Sequence, residues 1–271
     1  MDEPQPGARL AKQTHALATL LLVIFFGLLL YQMITVTDGT HNAGWPLAGL
    51  LLLAALSSLT AMARKLPWQY VLSAAFICAL FGSLAHLCSL NSGIPFGPFM
   101  FGPAAGWRFF GKLPWTIPVL WIVVVFTSRG VGRLILKPWR KMKTYGFWLI
   151  GLTVALVVLL DLGLDPFLAR LGHYWLWSPT KLRVTWAGAP LINFPGWGVV
   201  TLLILAFSTP LLIKKQPGQN RSPDYHPLGL WVGAMVLFAV AAAKHELWGP
   251  AGLDALAVVA VTLPAIRGGR W

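Results

Sequence analysis

The chain has 271 residues, of which 57% are hydrophobic and only 11% charged, and its mean hydropathy is +0.69. A soluble domain carries roughly twice that charged fraction, so the composition excludes one and indicates a polytopic integral membrane protein. The formal net charge of +13 does not indicate nucleic acid, because the Lys and Arg lie between apolar runs instead of forming one patch.

The N-terminus opens on acids and shows no small-residue cleavage site. The first apolar run, about 16–36, therefore reads as a retained helix and not a signal peptide. A loop at 38–45 without Lys or Arg leads to a second span at about 46–63, which ends at Arg64 and Lys65. The third span, about 68–90, carries His86 near its end. Cys78 and Cys88 both fall on it, ten residues or about 15 Å apart, so no disulfide joins them and both read as small core residues. A loop rich in Gly, Pro and aromatics follows at 91–112, then a span from Pro114 to about Thr127 that is marginal unless it continues past Arg129 to Leu136. After a basic segment at 129–143 come a fifth span at about 145–165, an irregular stretch at 166–195 and a sixth span at about 196–213. A polar loop at 214–227 and spans at about 228–244 and 251–266 complete a single all-α domain over 1–271, a bundle of eight transmembrane helices, with seven as the alternative count.

Eight crossings put both termini on one side, where 15 Lys and Arg fall (Arg9, Lys12, Arg64, Lys65, six within 129–143, Lys214, Lys215, Arg221, Arg267 and Arg270). Six fall on the other: Arg108, Lys112, Arg170, Lys181, Arg183 and Lys244. The positive-inside rule then predicts cytoplasmic termini, in the cytoplasmic membrane of a bacterium or archaeon. Both irregular loops lie on the opposite face. Non-helical backbone at membrane depth survives only when buried in protein, so the two loops are expected to close one cavity.

The stretch 161–197 carries the chemistry. Asp161 and Asp165 end an unbroken apolar run at i, i+4 spacing, so they share one helix face. Pro166 withholds a donor and biases Asp165 away from helical angles, which predicts a kink or an end there. An ionisable group at membrane depth costs roughly 2.5–3.5 kcal/mol on insertion scales, which marks the pair as functional. Trp175, Trp177, Trp186 and Trp197 follow, with Gly188, Pro190, Asn193, Pro195 and Gly196 between them. The blander interpretation is a helix end with an interfacial aromatic belt.

Other chemistries fit less well. The six His show no paired metal-ligand spacing, so neither a metal nor a cofactor is expected. Haem ligation could draw only on His86 and His245, and membrane prenyl transfer needs a second acid-rich motif. Gly93-Ile94-Pro95-Phe96-Gly97 lacks the helix start of a nucleotide loop and reads as a tight turn. Acids and aromatics around a cavity suit chemistry through a carbocation, in which a carboxylic acid protonates an olefin and π faces hold the cation. One Asp serves as the acid and its partner orients water. Phe96, Phe99, Phe101, Trp175, Trp177, Trp186 and Trp197 are the candidate substrate contacts, with His86 and Asn193 as polar aids.

Asp161-x-x-x-Asp165-Pro166, Trp175-x-Trp177, Gly188-x-Pro190, Asn193 and Gly196-Trp197 together resemble the bacterial and haloarchaeal carotenoid 1',2'-hydratase family. Gly93 to Gly97, ahead of Leu113, Pro114 and Trp121, is similar to that family's Gly-x-Pro-Phe-Gly signature. The resemblance covers about residues 80–205. It implies an integral membrane enzyme that adds water to the terminal isoprenoid double bond of an acyclic or monocyclic carotenoid, without a redox cofactor. Its partners would be that polyene and membrane lipid. Two positions depart from the pattern: His86 stands where an acid is usual, and Phe99 and Phe101 where Tyr is usual. A non-catalytic carotenoid- or lipid-binding membrane protein is the alternative, with haem or prenyl-transfer enzymes behind it.

Overall fold

The computed structural model describes the backbone of residues 6–35, 44–179, 184–213 and 223–271. The end of the first predicted span, most of the 38–45 loop, Lys181, Arg183, the 214–221 basic residues and the side chains of Arg9 and Lys12 lie outside what is described. Within it are eight helices: α1 (Pro6–Thr35), α2 (Gly44–Ala63), α3 (Trp68–Ser92), α4 (Thr116–Ile135), α5 (Tyr145–Asp165), α6 (Asn193–Ser208), α7 (His226–Lys244) and α8 (Trp248–Gly269). All eight include spans long and apolar enough to cross a membrane, and the protein is an all-α polytopic membrane bundle.

The marginal helix turns out to be the central one. α4 runs past Arg129 to Ile135 and packs on α2, α3, α5, α7 and α8. Because it faces protein on nearly every side, Thr127, Ser128 and Arg129 are buried in the bundle and not in lipid. The outer helices present Val23, Leu30, Phe76, Phe147 and Leu256 outward, a rim that only an apolar solvent tolerates.

The N-terminal half of α1 meets the start of α7 through Thr19 and His226 Nε2 at 3.0 Å. The last turn of α8 lies beside the end of α4, where Lys137 Nζ donates to the Gly269 carbonyl at 2.8 Å. These four helix ends therefore share one end of the bundle, which also carries Arg64, Lys65, Arg133 and Lys137. The opposite end carries both irregular loops. They are joined by an antiparallel ladder of β1 (Phe99–Phe101) and β4 (Trp175–Trp177), with Phe99 opposite Trp177 and Phe101 opposite Trp175. Two further short pieces of extended chain fall within the first loop and two more near Trp186, pairing as β2 (Arg108–Phe109) with β3 (Leu113–Pro114), and β5 (Thr185–Trp186) with β6 (Ala189–Pro190).

Several expectations need correction. The α-helix ends at Asp165 as Pro166 predicts, but the chain stays helical beyond it, widening into a π-helical turn over Pro166–Leu171. Pro166 has no N–H for the Leu162 carbonyl, and the Trp186 indole fills the vacancy, its Nε1 donating to that oxygen at 2.8 Å. Helix starts at 6, 193, 226 and 248 come before the expected 16, 196, 228 and 251, while α4 starts at Thr116, two residues late, because Pro114 pairs in β3. Cys78 is buried as expected, but Cys88 is exposed near the end of α3. Gly93 does make the tight turn, capping α3 at a left-handed φ of 74°.

Candidate active site

Asp161 and Asp165 are both fully buried, on the face of α5 that meets the start of α6. Asn193, the first residue of α6, bridges them. Its Nδ2 donates to Asp161 Oδ2 at 2.8 Å and to Asp165 Oδ2 at 2.7 Å, one proton to each carboxyl. Asp165 Oδ1 takes two indole N–H groups, from Trp175 at 3.2 Å and Trp177 at 3.0 Å. The strand supplies both because alternate residues of β4 point the same way. Asp161 Oδ1 is buried and has no hydrogen-bond partner. Among the described residues neither acid has an ion pair, so the pair is held wholly by neutral donors.

Trp175 links the acids to a second feature. His86, 3% exposed on α3, sits inside six aromatic rings. Phe96 is nearest at 4.7 Å between centroids, then Phe99 at 5.9, Phe101 and Trp121 at 6.1, Trp197 at 6.3 and Trp175 at 6.5 Å. Local bonds set this cage. Ser89 Oγ accepts from the Phe96 amide and donates to the Gly97 carbonyl. The Arg108 guanidinium clamps the carbonyls of Phe101 and Gly102 at 2.9 and 2.7 Å. Trp121 stacks on Trp197 at 4.3 Å, an approach possible because Gly82 opposite has no Cβ to block the indole. His86 Nδ1 faces both the Gly82 carbonyl at 3.0 Å and the Trp121 Nε1–H at 3.3 Å. One nitrogen cannot donate to the first and accept from the second, so each tautomer satisfies one of the two.

The fold thus brings Trp175, Trp177 and Asn193 onto the Asp161–Asp165 pair, and His86, Phe96, Phe99, Phe101 and Trp197 into the cage that Trp175 joins to it. Trp186 is not among them; it holds the α5 backbone at Leu162. His245, the other residue considered for haem, is exposed at the end of α7 while His86 is enclosed. Two residues were missed, and a third, Trp121, was named only within the resemblance and not as a site residue. Trp121 completes the cage. Tyr174 is buried beside Trp175 with its hydroxyl unpartnered, and burial pushes its phenol pKa up. Asp254 on α8 is a third buried carboxyl, against Gly163, with both oxygens unpartnered. An acid inside an apolar span is the signal that marked Asp161, and it applied equally to Asp254.

Both loops also border a cavity of about 360 Å³ enclosed by α1, α2, α4, α5 and α7. Its wall on α5 and the π-helical turn after it is Leu160, Leu164 and Leu168, the stripe next to the acids, and Ala105 and Tyr174 line it too. The surface is almost wholly apolar, broken by three groups without partners: Thr116 Oγ1, Tyr174 Oη and Trp231 Nε1. The acids themselves do not line it.

No solved structure matches the chain. Over 125 residues it is 28% identical to a bisanhydrobacterioruberin hydratase from Haloarcula japonica, a stretch that makes up 45% of this chain and 40% of that protein. The chain thus spans less than half of that relative's length. The match to a family is broader: residues 45–261, from the start of α2 through most of α8, fit the carotenoid biosynthesis proteins. With the bundle, the acid pair and the aromatic cage in place, the chain belongs to the carotenoid biosynthesis protein family.

Proposed function

We propose that the protein is a hydratase that adds water across the terminal 1',2' double bond of an acyclic or monocyclic carotenoid. The observation that carries this is the Asn193-bridged pair of buried acids joined through Trp175 to the aromatic cage. The Haloarcula relative, a hydratase by name, supports the same reaction class.

In this reading the pair holds one proton. It passes to the olefinic carbon that bears hydrogen, and positive charge develops on the tertiary carbon, the more stable cation. Indole faces at Trp175, Trp177 and Trp197 stabilise that charge, each contact contributing about 2 kcal/mol when desolvated. Water adds to the cation and returns a proton to the acid pair, so the product is a tertiary alcohol and the pair is restored without a redox cofactor. Asn193 keeps the carboxyls in register through the exchange. The polyene lies in the apolar cavity and supplies binding energy remote from the reacting end. Trp175 and Trp177 shield Asp165, so the β1–β4 ladder must yield for the olefin to reach it. By the positive-inside rule the basic end faces the cytoplasm, and the site opens on the other side.

Expression in a host that makes acyclic carotenoids tests this. A more polar pigment, heavier by one water, is the expected result. The separation of the cavity from the acids favours a second reading, a carotenoid-binding membrane protein without turnover. Unchanged pigment that co-purifies with the protein would support that reading against hydration.

A further inference from the structure

The basic end of the bundle holds a charge that the hydration reading does not use. Arg129 is 5% exposed, and its Nε and Nη1 are buried without a hydrogen-bond partner. Among the described residues no ion pair or hydrogen bond holds it. The ionisable groups facing it are Arg133 one turn on, Tyr145 at the start of α5 and Cys78 on α3, none of them a carboxylate. Arg133 is exposed and in turn faces Lys65, whose neighbours are Arg64 and Asp224. Asp224 is already engaged, by His226 Nδ1 at 2.6 Å, Lys65 at 3.7 Å and Arg64 at 3.9 Å. Four cations thus run from the bundle interior to its surface against one carboxylate. Burial, with the charges of Arg133 and Arg64 and against that of Asp224, holds the Lys65 ammonium below its ordinary pKa.

A guanidinium is among the costliest groups to bury without an acceptor, and its planar fork matches a phosphate better than any neutral group. Arg129 lies six residues before the end of α4 at Ile135, roughly 9 Å of helix rise, which is within reach of the level where lipid phosphates lie. We propose that Arg129, with Arg133 and Lys65 at its mouth, forms a binding site for a phosphate oxyanion, presented by an anionic lipid headgroup or by a soluble phosphate. The buried guanidinium supplies the directional N–H groups, and the exposed Arg133 with the half-buried Lys65 draws the anion in and covers its outer oxygens. This site is at the opposite end of the bundle from the acid pair and does not depend on hydration.

The test is thermal unfolding of the purified full-length protein in uncharged detergent, titrated separately with phosphatidylglycerol, phosphatidylcholine and inorganic phosphate. Phosphatidylglycerol should raise Tm and phosphatidylcholine should not. A rise with inorganic phosphate as well identifies a free oxyanion as sufficient, whereas no rise with it identifies the lipid; both outcomes support the site. Arg129→Met removes the fork without leaving a buried charge, and the exposed Arg133→Gln leaves the core untouched. Each should weaken the anion response by about tenfold, the loss expected for one charge-assisted contact. No anion-dependent rise in the parent, or the same rise in both variants, overturns the proposal.

Discussion

Buried carboxyls lie at two faces of α5, and their surroundings are built differently. On one face Asp161 and Asp165 are met by Asn193, Trp175 and Trp177, so three of their four oxygens accept hydrogen bonds. On the face that meets α8, Asp254 packs against Gly163 with neither oxygen engaged. Residues two apart on a helix point about 200° from one another, so Gly163 turns away from both acids flanking it. The first arrangement has three donors drawn from two elements, α6 and β4, converging on the carboxyls; the second has a carboxyl that nothing holds. A buried acid alone does not define a site. The donors around it do.

Breaking that contrast at its centre should have the largest effect. Asp161→Asn and Asp165→Asn keep shape and remove a proton carrier, so at least one of them should lower the hydration rate by about 10²–10⁴-fold. Asp254→Asn should leave the rate within about twofold, measured by pigment conversion at matched expression. Equal losses in all three would erase the distinction.

Removing the bridge comes next. Asn193→Leu leaves two adjacent buried carboxyls without their shared donor, and each lost charge-assisted bond contributes about 1.5–3 kcal/mol. Lower Tm and lower activity together are expected. Should Tm hold and activity fall, Asn193 acts on the reaction alone. Trp175→Phe keeps a ring against His86 and deletes one donor to Asp165; a drop of about 1.5–3 kcal/mol in stability is its upper range. Trp186→Phe sharpens the comparison from outside it. Losing the indole bond to the Leu162 carbonyl should cost about 1 kcal/mol in unfolding experiments, with activity per folded molecule unchanged.

The smallest effect lies at the basic end. Burial alone would lift the Asp224 carboxyl, but the His226 hydrogen bond and the charges of Lys65 and His226 together hold it below the usual carboxylate range. Its contribution to stability is therefore complete above its unfolded pKa of about 4 and is lost as pH falls through the lower folded value. Tm measured from pH 6 down to pH 3 should fall more steeply in the parent than in Asp224→Asn.

The helices were legible because each span needs some twenty apolar residues, a signal that survives without long-range information. The acid pair was legible for the converse reason: charge inside such a run is costly and therefore conspicuous. Boundaries slipped at α6 and α8, where polar or Gly-Pro residues continue a helix that packing supports. The ladder of Phe99 with Trp177 was not legible, since its partners lie far apart in sequence and its register depends on the fold. The same holds for Trp186, whose indole fills a vacancy that Pro166 creates in a different element. Tyr174 and Trp175 are neighbours of similar character, and only the strand's alternation sends one to the cavity and the other to Asp165.

The central claim is proton transfer from the Asp161–Asp165 pair to a terminal olefin. The most direct test is turnover of an acyclic carotenoid by purified protein in deuterium oxide, in the parent and in the two Asp→Asn variants. The account predicts a tertiary alcohol bearing one non-exchangeable deuterium on the carbon next to the alcohol carbon, formed by the parent and suppressed in at least one variant. No deuterated alcohol from the parent, or equal amounts from the parent and both variants, would contradict it.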